Sequence, residues 1–216
     1  GLSSSTRDLM RRGNFGSTWP TLLAPIRITR RKRIELALEA ASRLRPNYPG
    51  LRLVISGPLG PHNLDNQAYR TKLRALRSDL NLEQSVCFLH ELSGPNGIHP
   101  VDDQIISELY RLADCILLPS ESEGFGLPVL EAALTRTPMV AADLQILREL
   151  AKEEIFYFPT EGGASAVVEA VENALSSNPS NLRRHIINQY AWPAVLQKMI
   201  AAIQQKFTNH ASTKQG

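Results

Sequence analysis

Residues 119–131 read Pro-Ser-Glu-Ser-Glu-Gly-Phe-Gly-Leu-Pro-Val-Leu-Glu, and this stretch decides the fold class. The apolar run at residues 115–119 is typical of a buried strand, and residues 129–134 are typical of the first turns of a helix. Pro128 favours a helix start, because proline lacks an N–H that the first turn would leave unpaired. A strand, a tight loop and a helix are therefore predicted in direct succession.

The same loop carries the features of a ligand site. Gly124 and Gly126 let the backbone approach a bound group without a Cβ between them. The free N–H groups of a helix start bind phosphate and other anions. Glu123 in the loop and Glu131 one turn inside the helix can face one crevice. This arrangement suits a ligand with a sugar, a diphosphate and a ribose in line.

Strands and helices alternate over the rest of the chain, which predicts an α/β fold with a parallel, doubly wound sheet. The six predicted strands are residues 21–26, 51–56, 85–90, 114–119, 138–142 and 155–158. Such sheets bind ligands at the carboxyl ends of their strands. The loops after the first and fourth strands leave this edge, so residues about 90 positions apart are expected to converge there.

Length and composition fit one globular domain with extensions. The chain has 216 residues, of which 43% are hydrophobic. We predict a linker at residues 1–18, a Rossmann-like domain at 19–207 and a disordered tail at 208–216. The chain lacks an initiator Met, which we interpret as an excerpt from a longer protein. No apolar stretch approaches the ~18 residues of a membrane span, so no transmembrane segment is expected.

The two cysteines indicate the redox compartment, and the distribution of charges indicates the class of ligand. Cys87 and Cys115 lie in apolar runs and are expected to be buried, reduced thiols of a cytoplasmic protein. Residues 1–45 hold ten Lys/Arg and three Asp/Glu, a balance of +7, and residues 91–161 hold four and thirteen, a balance of −9. The basic cluster at 27–33 admits a nucleic-acid patch as one interpretation. We favour a local anion site, because no nucleic-acid-binding motif accompanies it.

Several stretches resemble the glycosyl transferases group 1 family of retaining, GT-B-fold enzymes. The spacing of two glutamates eight positions apart in Glu-Gly-Phe-Gly-Leu-Pro-Val-Leu-Glu, residues 123–131, is similar to the family signature. Residues 27–32 resemble its arginine and lysine five positions apart, and residues 107–114 resemble the helix and strand before its glutamate loop. Trp192 resembles an aromatic near the family's final helix. The resemblance covers residues 22–203 and implies the C-terminal half of a GT-B fold.

The resemblance also implies a role for each candidate site residue. Arg27 and Lys32 would bind the diphosphate of a nucleotide-sugar donor and stabilise the charge that grows on the leaving phosphate. Glu123 would hold hydroxyls of the transferred sugar, and Glu131 would accept hydrogen bonds from the ribose. The backbone N–H groups of four further residues would serve the sugar and phosphates: Gly124, Phe125, Gly126 and Leu127.

The implied reaction transfers a sugar to a hydroxyl acceptor with retention, assisted by the leaving phosphate and without an enzyme nucleophile. No metal and no cofactor is demanded. The acceptor-binding N-terminal domain lies outside this chain, so the chain alone is expected to bind donor and transfer poorly. A non-catalytic nucleotide-binding or scaffold module of the same fold is the alternative. A glycoside hydrolase with the two glutamates as acid and base is a further interpretation, which the phosphate-shaped turn between them disfavours.

Three residues depart from the family pattern. Arg33, His90 and Thr137 stand where the resemblance predicts glycine. A different turn shape is expected at Arg33 and an altered loop after the third strand at His90. Thr137 is expected to affect only the local turn. His62, His90 and His99 are expected to be structural or solvated rather than catalytic.

Overall fold

A computed structural model describes residues 1–16, 18–59, 64–92 and 101–177, and it confirms the α/β prediction. The strands are β1 (Thr21–Ala24), β2 (Arg52–Ile55), β3 (Val86–Phe88), β4 (Cys115–Leu118), β5 (Met139–Ala142) and β6 (Phe156–Phe158). The helices are α1 (Ser4–Gly13), α2 (Ile34–Leu44), α3 (Leu64–Asp79), α4 (Leu89–Leu92), α5 (Asp103–Leu112), α6 (Leu127–Thr135), α7 (Gln145–Ala151) and α8 (Ala164–Ser176). A single 3-10 turn at Arg30–Lys32 precedes α2.

The six strands form one parallel sheet in the order β3-β2-β1-β4-β5-β6. Strand β1 pairs with both β2 and β4, so Leu22 lies opposite Leu53 on one side and Cys115 on the other. The direction of winding changes between β1 and β4, and a crevice opens at such a switch point. The loops that follow these two strands are therefore neighbours at the carboxyl edge.

The centre of the sheet is covered on both faces. Every residue of β1, β4 and β5 is buried, as expected for parallel strands with helices on either side. This accounts for the uninterrupted apolar runs that predicted these strands. Helices α2 and α8 pack against each other, and both bury small or branched side chains such as Ala37 and Val171.

The linker prediction for residues 1–18 is wrong over α1, which is an ordered part of the fold. Ser3 caps α1 by accepting a hydrogen bond from the Thr6 N–H at 3.1 Å. The Ser3 amide and hydroxyl donate to the Glu108 carboxylate on α5 at 2.9–3.1 Å. Leu9 and Phe15 are buried in the core. The polar composition reflects capping and solvent-facing residues rather than an unattached segment.

Two short helices escaped prediction. Helix α4 has four residues and begins at Leu89, where a longer third strand was expected. Helix α7 has seven residues and no side-chain cap at its start. Neither is long enough to show the periodicity of a surface helix.

Some sequence predictions lie outside the described residues. They concern the helices at 181–190 and 193–207, the tail at 208–216, Trp192, His62 and His99. Among the helices that are described, none combines the length and the apolar character that crossing a bilayer requires.

Candidate functional site

The loops after β1 and β4 meet at the carboxyl edge of the sheet. The Glu121 amide donates to the carbonyl of Arg31 at 2.9 Å, which joins the glutamate loop to the 3-10 turn. Ile28 bridges in parallel to Leu59, and its amide donates to the Pro58 carbonyl at 3.1 Å, so the loop after β2 joins the same assembly. Backbone contacts therefore fix three loops against one another.

Lys32 and Glu123 form an ion pair across this junction. The Lys32 Nζ lies 2.5 Å from Oε1 of Glu123, and each side chain is only 8% exposed. The 3-10 turn places Lys32 opposite the loop because its amide donates to the Thr29 carbonyl at 3.0 Å. The predicted convergence of residues about 90 positions apart is thus confirmed for this pair.

Arg27 lies in the same loop as Lys32 but is not paired itself. Its side chain is exposed and makes no hydrogen bond or ion pair within the described part of the chain. Its carbonyl accepts a hydrogen bond from the Thr29 amide at 2.9 Å. The Arg27 guanidinium is therefore unpaired among the described residues, and Arg27 belongs to the loop that carries Lys32.

The rest of the basic cluster does not form one continuous cationic surface. The Arg30 guanidinium lies 5.5 Å from the ring centroid of Tyr69, and the Arg33 guanidinium donates to the Thr160 carbonyl at 2.5 Å. Lys32 is buried in its pair. Only Arg27 and Arg31 remain exposed without a side-chain partner among the described residues. This division favours a local anion site over an extended nucleic-acid patch.

Gly126 begins helix α6 in the left-handed conformation, with φ of 64°. A Cβ at this position would lie 2.9 Å from Leu150, so both the backbone and the packing require glycine. Pro128 is the second residue of the helix, one position later than predicted. The Gly126 carbonyl accepts from the Val129 amide at 2.9 Å, which closes the first turn.

The amides that precede this turn are free. In the part of the chain that the structure describes, those of Gly124, Phe125, Gly126 and Leu127 make no hydrogen bond. No side chain caps the helix either. Open space surrounds Gly124, and the Phe125 side chain is 86% exposed. These four amides are therefore available to bind an anion at the start of α6.

Glu131, in the second turn of α6, lies in a cleft of about 620 Å³. The walls come from the loops after β1 and β2, from α4, from α5 and from α6, and they consist of Pro25, Ser56, Gly57, Pro58, Leu59, His90, Val101, Asp103, Ile106 and Glu131. Arg27, Lys32, Glu123 and residues 124–127 do not line it. The expected single hollow is therefore a cleft on the Glu131 side and an adjoining, more open surface on the Lys32 side. A hollow of about 700 Å³ along α1 contains none of the predicted site residues.

Sequence reasoning missed several buried polar groups near this edge. Among the residues that the structure describes, the hydroxyls of Ser56, Ser120 and Tyr110 and both ring nitrogens of His90 are buried without a partner at ordinary hydrogen-bond geometry. Burial lowers the pKa of His90 below its ordinary value, so the ring is neutral at pH 7. Unpaired buried polar groups are unusual, and those of Ser56 and His90 belong to residues of the cleft wall. Serines at strand ends and a helix tyrosine give no signal in the sequence that distinguishes them from structural residues.

Tyr69 of α3 was not predicted to lie near the site, although its hydroxyl contacts the first residues of α2. The Ile34 amide donates to the Tyr69 hydroxyl at 3.0 Å, and that hydroxyl donates to Glu35. The first amide of α2 is therefore already satisfied. Of the two helix starts that follow β1 and β4, α6 is the one whose amides remain open.

Of the turn positions at which the family pattern has glycine, one lies at a different residue from the one expected. Arg33 has φ of 46°, so this turn keeps the left-handed backbone that glycine favours. In the turn after α6 the left-handed residue is Arg136, with φ of 62°, and not Thr137. The Thr137 side chain instead donates to the Tyr110 carbonyl at 2.8 Å. Among the described residues, no three His, Cys, Asp or Glu side chains cluster as metal ligands would.

Comparison with known proteins identifies the family and the fold of the chain. The family model described as glycosyl transferases group 1 matches residues 6–191. A D-inositol 3-phosphate glycosyltransferase of Geodermatophilus obscurus is 30% identical over 182 residues, which are 82% of this chain and 38% of that protein. The chain spans well under two thirds of the length of the curated relatives it matches.

Solved structures show the same fold. The C-terminal domain of a glycosyl transferase group 1 family protein from Francisella tularensis matches with a TM-score of 0.68 at 19% identity, covering 88% of this chain and 94% of that one. Anabaena HepE in complex with UDP and glucose matches with a TM-score of 0.71 at 19% identity, covering 94% of this chain and 53% of that one. At such identities the likeness establishes the GT-B type of architecture alone.

Proposed function

Since this chain belongs to the glycosyl transferases group 1 family, we propose that it forms the donor-binding part of an enzyme that transfers a sugar from a nucleotide diphosphate to a hydroxyl acceptor. The observation that carries the proposal is the contact of Lys32 with Glu123 beside the open amides that begin α6. Cation, carboxylate and amides are the three groups that a sugar diphosphate needs. Solved relatives of this fold that hold UDP and a sugar support the same ligand class.

In this proposal the diphosphate lies between Arg27, Lys32 and the amides of residues 124–127. Lys32 need not leave Glu123, because an ammonium has three donors and can contact a carboxylate and a phosphate oxygen together. Arg27 is exposed and unpaired among the described residues, so it is free to close on the phosphates. As the donor breaks, these fixed donors stabilise the charge that develops on the leaving phosphate. No metal is required for this role.

The two glutamates bind the two sugars of the donor. Glu123 holds hydroxyls of the transferred sugar, since its loop lies against Lys32 and precedes the free amides. Glu131 accepts from the ribose, since it lies in the cleft of about 620 Å³ that the base and ribose would occupy. The anomeric configuration is retained because the leaving phosphate guides the acceptor on the same face.

The acceptor site is supplied outside this chain. The chain corresponds to 38% of the length of the inositol phosphate glycosyltransferase that it matches. We therefore expect a second domain of a longer protein to bind the hydroxyl acceptor and to complete the catalytic site. The chain by itself binds donor and transfers poorly.

The test is a thermal-shift panel of UDP-, GDP- and ADP-sugars on the wild-type chain and on Glu131→Ala. Glu121→Ala is the matched control, because Glu121 is an exposed carboxylate of the loop before α6 whose side chain makes no hydrogen bond or ion pair with a described residue. One nucleotide sugar should stabilise the wild type and Glu121→Ala, and Glu131→Ala should lose most of that shift. Equal shifts in all three proteins would indicate a scaffold module instead. Appreciable sugar transfer by the chain alone would contradict the two-domain part of the proposal.

A further inference from the structure

Tyr110 carries a buried hydroxyl that makes no hydrogen bond of ordinary geometry with any described residue. The residue lies on α5 and is 1% exposed, and its hydroxyl makes no hydrogen bond in the described structure. An unpaired buried hydroxyl is unfavourable, and a phenylalanine would fill the same space without it. A tyrosine at this position therefore requires an acceptor that can approach its hydroxyl more closely than any described group does here.

The position of Tyr110 relates it to the cleft. Ile106, one helical turn earlier on the same face of α5, lines the cleft together with Glu131. Helices α5 and α6 pack against each other. Tyr110 is therefore a buried residue on the face of α5 that also carries a cleft residue, and its helix packs on the helix that carries Glu131.

The electrostatics agree with this placement. Burial raises the pKa of Tyr110 above its ordinary value, and a weak hydrogen-bonding contact with the Glu131 carboxylate, together with its negative charge, raises the pKa further, with a smaller effect from Glu123. The phenol thus stays protonated and remains a hydrogen-bond donor at any physiological pH. Glu131 is the carboxylate with the strongest effect, although no hydrogen bond of ordinary geometry joins the two in this structure.

Tyr110 is fixed, whereas Glu131 is not. The Tyr110 carbonyl accepts a hydrogen bond from Thr137 Oγ1 at 2.8 Å, and the Thr137 hydroxyl is 2.9 Å from that of Thr135. Thr135 in turn donates to the Glu131 carbonyl at 3.1 Å. The backbones of α5 and α6 are therefore joined around an exposed Glu131 side chain, whose carboxylate makes no hydrogen bond of ordinary geometry with a described residue.

We propose that Tyr110 is a positioning residue for Glu131 and that its hydroxyl donates to the carboxylate when a ribose occupies the cleft. One carboxylate oxygen is held by Tyr110, and the other is left to accept from the ribose hydroxyls. The inference rests on the proposed function, in which Glu131 binds the ribose.

The test compares Tyr110→Phe with the wild-type chain, using UDP and 2′,3′-dideoxy-UDP as probes. Tyr110→Phe removes only an unpaired oxygen, so its melting temperature should equal or exceed that of the wild type. Its Kd for UDP should rise about three- to tenfold, and its preference for UDP over the dideoxy analogue should largely vanish. Tyr157→Phe is the control, because the Tyr157 hydroxyl already donates to the Leu147 carbonyl at 3.0 Å. That variant should lose stability and keep the wild-type Kd.

Glu131→Ala separates the two levels of the proposal. If Glu131→Ala binds UDP as the wild type does, the proposed function fails. If Glu131→Ala weakens UDP binding while Tyr110→Phe keeps the wild-type Kd and preference, the positioning role of Tyr110 is overturned. Adding Tyr110→Phe to Glu131→Ala should have no further effect on the Kd, since the hydroxyl acts through the carboxylate.

Discussion

The ammonium of Lys32 lies 2.5 Å from a carboxylate oxygen of Glu123, although 91 residues separate the two in sequence. Both side chains are nearly buried. A lone charge at such a site is strongly unfavourable, because little water remains to solvate it. Pairing therefore holds the Lys32 ammonium and the Glu123 carboxylate, which are both proposed to bind the donor, in place before the donor binds.

Removing one partner of this pair should destabilise the chain. We expect Lys32→Met to lower the free energy of unfolding by about 3 kcal/mol, the low end for a buried pair, because the loop of Glu123 can turn toward water. Lys32→Met combined with Glu123→Met should recover most of the loss, since no unpaired charge remains. Urea unfolding measures both. Glu153→Gln is the control, because its partner Arg148 forms an exposed pair, and the expected change is below ~1 kcal/mol. A single variant as stable as the wild type would show that the pair is not desolvated.

The sequence predicted the convergence of these two loops, though not the pair itself, for a physical reason. Parallel strands present their carboxyl ends at one edge, so the loops after β1 and β4 had to meet once the strand order placed those strands side by side. The apolar runs of both strands were unambiguous because each is buried on two faces. The placement of Lys32 near Glu123 therefore followed from topology.

The division between the cleft and the open surface could not be predicted in the same way. Which walls enclose Glu131 depends on how α4, α5 and the loop after β2 pack, and α4 was read as the end of a strand. The orphaned hydroxyl of Tyr110 depends on side-chain packing, which a pattern of apolar residues does not specify. The attachment of α1 was missed because its partner Glu108 lies 105 residues away from Ser3.

Glu108 should make the attachment of α1 dependent on pH. Hydrogen bonding from Thr6, and then from Ser3 and Gln104, lowers the pKa of Glu108 to about 2 against the opposing effect of burial. The unfolded value is about 4.3. A depressed folded pKa contributes stability that is present above about pH 4.3 and is lost as the pH falls toward 2.

Hydrogen exchange of the α1 amides tests this dependence. The protection of α1 in the wild type should fall between about pH 4.3 and pH 2. Glu108→Gln should already be less protected at pH 6 and should change less on acidification. Glu161→Gln, which removes an exposed carboxylate without a described partner, should behave as the wild type. Protection of α1 that is identical in wild type and Glu108→Gln at pH 6 would refute the role of this carboxylate.

Arg136→Gly should stabilise the chain. Arg136 ends α6 in the left-handed conformation, with φ of 62°, and its side chain is exposed without a partner among the described residues. A non-glycine residue there carries a strain of about 1 kcal/mol, so glycine should raise the free energy of unfolding by about 0.5–1 kcal/mol. Thermal and urea unfolding provide the measurement.

Arg33→Gly is the informative comparison for that change. Arg33 is also left-handed, with φ of 46°, but its guanidinium donates to the Thr160 carbonyl at 2.5 Å. The relief of strain and the loss of this hydrogen bond are similar in size, so little net change is expected. If Arg33→Gly stabilised the chain more than Arg136→Gly, the hydrogen bond to Thr160 would contribute nothing.

Among the glycines that the structure describes, Gly57 should be the one least able to accept a side chain. A Cβ at Gly57 would lie 1.9 Å from the Ile26 carbonyl oxygen and 2.6 Å from the Arg27 amide nitrogen. These are backbone atoms of the neighbouring loop, so no side-chain rotation can relieve the overlap. Gly57→Ala must therefore push apart the loops after β1 and β2, which carry Arg27 and one wall of the cleft. We expect a loss of stability of more than about 2 kcal/mol and a weaker thermal shift with the stabilising nucleotide sugar. Gly163→Ala is the matched control, because nothing lies within 4 Å of its added Cβ and its φ of −81° suits any residue. A Gly57→Ala variant that unfolds and binds nucleotide as Gly163→Ala does would show that the two loops are not packed as closely as the structure indicates.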